Sequence, residues 1–129
     1  MPWNLTADTP IYLQLVERMK SDIVAGIYAP GQKIPPVREL ASLAGVNPNT
    51  MQRALSELER EGLLYSERTS GRFVSEDPAR IREAKASQAR ELTAGYLDKM
   101  RSLGLDPQSV IRMITEQTMP APEDGQGRN

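Results

Sequence analysis

The stretch PGQKIPPVRELASLAGVNPNTMQRAL occupies residues 30–55 and contains two short apolar patterns with the period of a helix. Between them stand Gly45, which stops a helix, and the pair Asn47-Pro48, which is typical of a helix start. An asparagine side chain caps the free N–H groups of a first turn, and proline has no N–H that needs a partner there. The spacing predicts helices over 37–44 and 48–61 that cross tightly, with the glycine at the bend, as in a helix-turn-helix.

The sequence before this pair predicts a further helix and a turn. Apolar residues at three- and four-residue steps indicate a helix over 10–25, with Thr9 as its N-cap and Pro10 at its first position. Residues 29–32 (APGQ) are typical of a type II turn, in which proline fixes the first central position and glycine supplies the positive φ of the second. A short extended piece over 33–34 follows.

The sequence after the pair predicts a β-hairpin. Two short strands over 63–67 and 72–75 flank the turn Arg68-Thr69-Ser70-Gly71. Three helices followed by a hairpin predict a winged helix-turn-helix over residues 1–76. The fold class is therefore mainly α with a small β-hairpin wing (α+β).

Residues 77–118 differ from the rest in having only a thin apolar stripe. They predict a helix over 78–102 and another over 107–117. Two such helices bury little apolar surface alone, so we expect a two-helix dimerisation region that packs on a second copy. The alternative is that they fold back on their own winged domain. The expected interface residues are Ile81, Leu92, Tyr96, Met100, Leu103, Val110, Ile111 and Ile114. The polar tail over 119–129 is expected to be disordered.

Composition excludes several classes of function. The 129 residues contain no His and no Cys, which removes the commonest general base, thiolate nucleophiles and zinc fingers. We therefore expect no enzyme activity, no metal and no cofactor. Mean hydropathy is -0.49, and no stretch reaches the ~20 apolar residues of a membrane helix. The first residues lack the features of a secretory signal, so we expect a cytoplasmic protein.

The polar face of the predicted helix over 48–61 presents groups suited to DNA. Asn49, Gln52, Arg53 and Ser56 point away from the apolar stripe. Amides bind adenine and arginine binds guanine in the major groove, so Asn49 or Gln52 is expected to read adenine and Arg53 guanine. Thr50, with the N–H groups of the helix start, can receive a phosphate. The candidate DNA-binding residues are Lys33, Arg38, Asn47, Asn49, Thr50, Gln52, Arg53, Thr69, Ser70, Gly71 and Arg72.

Charge is distributed unevenly along the chain. The net charge is -1, from 16 Lys plus Arg and 17 Asp plus Glu. Residues 32–53 nevertheless contain three cations against one carboxylate, and residues 68–72 contain two cations and no carboxylate. These two segments are expected to supply phosphate contacts.

Each candidate also has a structural interpretation. Arg38 can pair with a neighbouring carboxylate, and Arg53 can be a solvated helix residue. Asn47 is better explained as an N-cap than as a base reader. The turn over 69–71 requires turn-forming residues and a positive φ whether or not it contacts DNA. For Tyr12, core packing and a phosphate contact through its phenol both stay open.

Several motifs resemble those of GntR-family transcriptional regulators. Residues 30–41 (PGQKIPPVRELA) resemble the family signature PG-x-x-LPS-x-RELA, with Pro36 in place of serine. The resemblance continues through GVNPNT at 45–50 and GRFV at 71–74, where the wing has TSGR rather than G-x-GT. It covers about residues 9–76. The short C-terminal part is similar to the YtrA-like small subfamily, which implies dimerisation rather than effector binding by that region.

The sequence and the resemblance together predict a sequence-specific DNA-binding transcriptional regulator. The resemblance implies a repressor that binds a pseudo-palindromic operator as a homodimer, with the recognition helix (48–61) in the major groove and the wing (64–75) beside it. The alternative is a winged-helix protein–protein interaction module without specific DNA binding. That alternative predicts apolar residues on the outward helix face, where the sequence has polar ones. An unknown small-molecule effector stays open.

Overall fold

The computed structural model describes residues 3–120. The elements in chain order are α1 (Ile11–Val24), α2 (Val37–Ala44), α3 (Pro48–Arg60), β1 (Leu64–Glu67), β2 (Gly71–Val74), α4 (Pro78–Ser102) and α5 (Pro107–Thr118). The order confirms the predicted fold class, and the bounds lie within one or two residues of those expected. The expected disordered tail over 119–129 lies, from residue 121, outside the described residues.

The first three helices pack around one apolar core. In α1 the buried residues recur at four-residue steps, as Leu15, Met19 and Ile23. The buried residues of α3 recur at three- and four-residue steps, so one stripe of that helix faces inward. Their fully buried side chains include Met51 and Leu55. Full burial of a side chain of this size contributes about 1.5–3 kcal/mol, so this stripe fixes the rotation of α3 about its own axis.

The turn between α2 and α3 has the geometry that its residues predict. Gly45 adopts the left-handed conformation with φ 77°, and its N–H donates to the carbonyl of Ala41. The side chain of Asn47 accepts a hydrogen bond of 2.7 Å from the N–H of Asn49, which makes Asn47 the N-cap of α3. The expected N-cap is therefore confirmed. The two helices meet with both termini at the turn satisfied.

The start of α1 differs from the expectation. Pro10, and not Thr9, is the N-cap residue, and no side chain caps the helix there. Gln14 organises the segment instead. Its amide nitrogen donates to the carbonyls of Thr6 (2.8 Å) and Thr9 (3.0 Å), while its amide oxygen accepts from the N–H of Thr6 (2.9 Å). This side chain, one turn inside the helix, ties the preceding segment to α1 but caps no N–H of its first turn.

The wing forms backbone hydrogen bonds with a third segment of the chain besides those between its two strands. Strands β1 and β2 are antiparallel, and Tyr65 lies opposite Phe73 with ring centroids 5.6 Å apart. The extended segment before α2 also pairs with β2: the N–H of Ile34 donates to Arg72 (3.0 Å) and the N–H of Gly31 donates to Val74 (2.8 Å). The turn at 29–32 is confirmed by the φ of 80° at Gly31. The wing is therefore tied directly to the entrance of the helix-turn-helix.

The chain forms two compact units, which divide within α4. One ends at Ser87 and the other begins at Gln88, so the first ten residues of α4 belong with the winged helix-turn-helix. In the second unit, Asp106 caps α5 by accepting from the N–H of Ser109 at 2.8 Å. Within residues 3–120, no helix combines the length and the apolar character needed to cross a membrane.

The cap at Asn47 generates a stability prediction. Asn47→Ala removes the acceptor for the first turn of α3 and is expected to lower the free energy of unfolding by about 1 kcal/mol. Asn47→Asp keeps an acceptor and should lose much less. Asn49→Ala changes the same turn without removing the cap acceptor and is the matched control, with an expected change within about 0.5 kcal/mol. Urea unfolding followed by circular dichroism measures all three, and equal losses for Asn47→Ala and Asn49→Ala would contradict the cap.

Candidate nucleic-acid interface

The outward face of α3 is polar and exposed. Asn49, Gln52 and Ser56 are exposed, on the side of the helix opposite the buried stripe. The amide nitrogen of Gln52 donates to the hydroxyl of Ser56 at 3.2 Å. This contact orients the Gln52 side chain while leaving its amide oxygen and one N–H available, because the amide has two donors. An amide held in this way offers the donor and acceptor pair that an adenine edge binds.

Arg53 is not simply solvated, because it lies on an aromatic ring. Its guanidinium carbon is 3.6 Å from the centroid of the Tyr12 ring. Tyr12 is half-buried and packs against the core of the winged domain. Sequence reasoning named both residues but did not pair them, because the contact joins helices distant in sequence. A cavity of about 340 Å³ lies at this contact and is lined by Pro10, Ile11, Tyr12, Asn49, Thr50 and Arg53.

A second concavity lies between the segment before α2 and the wing. Its volume is about 370 Å³, and its lining includes Lys33 and the wing residues Thr69 and Ser70. Gly71 has φ 116°, which confirms the expected positive φ at the end of the turn. A Cβ at this position would stand 2.9 Å from the Cε of Lys33, so the glycine also makes room for that side chain. The structure therefore brings the predicted contacts Lys33, Thr69 and Ser70 to one groove.

Four cations of the helix-turn-helix and the wing are exposed. They are Lys33, Arg38, Arg53 and Arg68. Within residues 3–120, none of the four makes a salt bridge with a carboxylate, and the alternative pairing of Arg38 is not found. Positive charge at these positions is thus not neutralised by a salt bridge within the described residues and can act on an anionic partner.

Arg72 differs from the other wing cation in having a carboxylate partner within the chain, so the expected charge of the wing is corrected while its contact with DNA stays a prediction. It was expected to offer a free charge to DNA, but its Nε lies 2.7 Å from a carboxylate oxygen of Glu59. The Ser66 hydroxyl donates to the same carboxylate. Burial raises the pKa of Glu59, whereas these two hydrogen bonds and the charge of Arg72 lower it by more, so the pKa lies below its usual value. The pair holds the wing to the end of α3, whereas Arg68 in the turn has no salt-bridge partner among residues 3–120.

The expected interface residues fall into two groups. Ile81 packs against the core of its own winged domain, and Met100 and Val110 are buried in the single chain. Met100 and Val110 therefore have little surface left for a second copy, and Ile81 is partly buried. The expected interface residues that are exposed are Leu92, Tyr96, Leu103, Ile111 and Ile114.

The known proteins that this chain resembles are of one kind, regulators of transcription. The family described as bacterial regulatory proteins, gntR family, matches residues 11–74. The HTH-type transcriptional repressor YtrA of Bacillus subtilis (strain 168) is 42% identical over 111 residues, which cover 85% of this chain and 85% of that protein.

Two solved structures resemble the chain over different lengths. A GntR family transcriptional regulator from Listeria monocytogenes superposes with a TM-score of 0.79 at 36% identity, covering 87% of this chain and 98% of that chain. AraR(DBD) in complex with operator ORE1 matches with a TM-score of 0.51 at 38% identity, covering 57% of this chain and 90% of that chain. The first similarity includes most of the described structure, whereas the second covers little more than half of the chain.

The Glu59–Arg72 pair generates a prediction with a definite pH dependence. Glu59→Gln is expected to lower the free energy of unfolding at pH 7 by about 1 kcal/mol, as for a partly exposed ion pair. Because the folded-state pKa lies below the unfolded-state value of about 4.3, this contribution is present above that value and is lost as the pH falls through the folded-state pKa. In urea unfolding between pH 7 and pH 3, the free energies of unfolding of the wild type and Glu59→Gln should approach each other as the pH falls.

Glu67→Gln is the control for this prediction. Glu67 belongs to β1 and makes no salt bridge with any residue between 3 and 120. Its replacement should leave stability within about 0.5 kcal/mol across the same range. A Glu59→Gln deficit that persists unchanged at pH 3 would show that the carboxylate charge is not the source of the stabilisation.

Proposed function

Because the chain belongs to the GntR family of bacterial regulatory proteins, it is a DNA-binding regulator of transcription, and we propose that it represses transcription by occupying an operator. The repressor named YtrA, similar along most of both chains, supports this direction of regulation. A regulator of this kind acts on the bacterial chromosome, so we place it in the cytoplasm. The observation that carries the proposal is the outward face of α3, which is polar and exposed beside cations that form no salt bridge within the part of the chain that the structure describes.

In this proposal α3 enters the major groove of duplex DNA. The buried stripe of α3 fixes its rotation, so Asn49 and Gln52 are held toward the bases. The AraR(DBD) structure was solved with an operator, and its similarity to the winged domain supports this use of the surface. An outward face without large apolar side chains argues against protein docking as its main role.

The cations supply affinity for the backbone. Lys33 lies in the groove beside the wing turn, and Arg68 lies in that turn. Contacts of this type bind phosphates and release counterions, so they raise affinity for every sequence alike. Arg38 is the third exposed cation available for this role. The amides therefore specify the sequence, and these cations hold the duplex.

We also propose that the protein acts as a homodimer through the second unit. Leu92 and Leu103 are 72% and 74% exposed, and Ile111 and Ile114 on α5 are also exposed. Apolar side chains this prominent are unfavourable in water and are typical of an interface. A two-fold dimer would present two copies of α3, which is the arrangement that reads a pseudo-palindromic operator.

Selection from a random-sequence DNA pool tests the DNA-binding proposal. The full-length protein is expected to enrich a pseudo-palindromic duplex and to bind it more tightly than a shuffled duplex, measured by fluorescence anisotropy at several salt concentrations. Gln52→Ala should cost about 1–3 kcal/mol on the enriched duplex and relax preference at one position of each half-site. Lys33→Ala should weaken both duplexes by the same factor and reduce the salt slope by about 1.

The outcomes of this experiment separate the two classes of function. An enriched sequence with the two variant patterns establishes base reading by α3 and phosphate contact by Lys33. A pool that yields no enriched sequence would overturn the proposal and favour the protein-interaction module. If Gln52→Ala and Lys33→Ala lost the preference for the enriched duplex to the same extent, the assignment of base reading to Gln52 and phosphate contact to Lys33 would be contradicted.

The dimer is tested by replacing one exposed leucine. Leu92→Glu places two like charges at the proposed symmetric interface and is expected to weaken self-association at least about tenfold. Leu13→Glu, at an exposed leucine of α1, is the matched control and should associate like the wild type. Sedimentation velocity over a concentration series gives the dissociation constants. A wild-type monomer, or a Leu92→Glu dimer as tight as the wild type, would contradict the interface.

A further inference from the structure

Arg53 is held against α1 rather than extended from the outward face of α3. From this geometry we infer that Tyr12 and Arg53 together form a binding site for one backbone phosphate of DNA, in which Tyr12 positions the guanidinium. The inference rests on the proposed function, because it assigns a specific partner to part of the same surface. It also changes the role of Arg53 from reading guanine to holding the duplex.

The contact restricts the guanidinium without using its hydrogen-bonding edges. Tyr12 is half-buried and packed on the core, so its ring is a fixed platform. The Arg53 guanidinium carbon lies 3.6 Å from the ring centroid, which is a close cation–π contact. A guanidinium bound to a ring face keeps its five N–H donors in its own plane, where they can bind an anion. The stack therefore orients Arg53 in advance and leaves its donors available.

The surroundings of Arg53 favour an anion as its partner. Within residues 3–120, Arg53 makes no salt bridge with a carboxylate. The cavity of about 340 Å³ at the stack is also lined by Asn49 and Thr50, whose side chains can donate hydrogen bonds. Among the described residues that line it there is no carboxylate. Two oxygens of a phosphate can accept hydrogen bonds from two parallel N–H donors of one arginine. Such bidentate contacts are among the stronger charge-assisted hydrogen bonds.

The position of the stack favours the backbone over the bases. Base edges lie at the floor of the major groove, beneath the outward face of a recognition helix, whereas phosphates line its rims. Tyr12 belongs to α1, so a guanidinium drawn onto its ring is displaced to the flank of α3. Gln52 keeps the central position on the outward face through its bond to Ser56. The geometry thus assigns the bases to the amides and a rim phosphate to Arg53.

The test compares Arg53 with Gln52 on the same two duplexes. On the enriched and the shuffled duplex, Arg53→Ala is expected to lower affinity about tenfold for both and to reduce the salt slope by about 1. The ratio of the two affinities should stay within about twofold of the wild type. Gln52→Ala is the matched control on the same helix and should reduce that ratio. Arg53 is exposed, so its replacement by alanine leaves the core intact.

Variants of Tyr12 test its positioning role separately. Tyr12→Phe keeps the ring and should bind within about twofold of the wild type, whereas Tyr12→Leu removes the ring and should lower affinity for both duplexes. In the Tyr12→Leu background, Arg53→Ala should cost clearly less than in the wild type, because the two residues act as one site. Arg53→Lys keeps the charge but loses the planar stack, and it should recover only part of the affinity. If Tyr12→Leu does not fold, Tyr12→Phe and the two Arg53 variants still decide the outcome.

Failure of this inference is distinguishable from failure of the proposed function. If the wild type enriches no sequence, the proposed function fails before any variant is compared. If the wild type discriminates and Arg53→Ala loses that discrimination, Arg53 reads a base and the phosphate site is overturned alone. Unchanged affinity in Arg53→Ala also overturns it. Loss of affinity in Tyr12→Phe would assign the contact to the phenol and overturn the positioning role of the ring.

Discussion

The packing of α3 on α1 is the interaction on which the rest of the site depends. Met51, Leu55 and Leu58 are fully buried, as are Leu15 and Met19 on α1. With 3.6 residues per turn, this inward stripe leaves only one face of α3 for solvent. A shift of the stripe by one residue in either direction would bury polar or charged side chains and expose a leucine, which costs several kcal/mol. The same packing places Tyr12 beside Arg53, so core and site share one geometric cause.

Local signals explain why most of the fold was predictable from the sequence. Gly45 requires a positive φ and Asn47 caps its own helix, so both act through neighbours in the chain. Three features were not predictable for the opposite reason. The pairing of Ile34 with β2, the capture of Arg72 by Glu59 and the stack of Arg53 on Tyr12 join distant parts of the chain.

The charges of the site illustrate the same limit. Net charge and composition describe a nearly neutral protein, and counting residues assigned two free cations to the wing. Which cation stays free depends on where a carboxylate lies in three dimensions. Glu59 forms a salt bridge with Arg72, and Glu57 forms one with Arg60. Arg68 has no salt-bridge partner within the described residues. A protein with almost no net charge can therefore present positive charge to DNA. Its carboxylates pair with some of its cations and not with others within the described residues.

The second unit requires a different source of stability from the first. Met100 is the one buried residue of α4, a helix of 25 residues, among those that the structure describes. A helix in water gains most of its stability from packing an apolar face, and intrinsic propensity alone is marginal. Leu92 and Tyr96 lie one turn apart and remain exposed in the single chain, so this face has not been packed. In the proposed dimer a second copy covers it, and the contact that stabilises α4 also pairs the two recognition helices. Dimerisation and operator reading are then linked by one apolar surface, because the unpaired chain loses both.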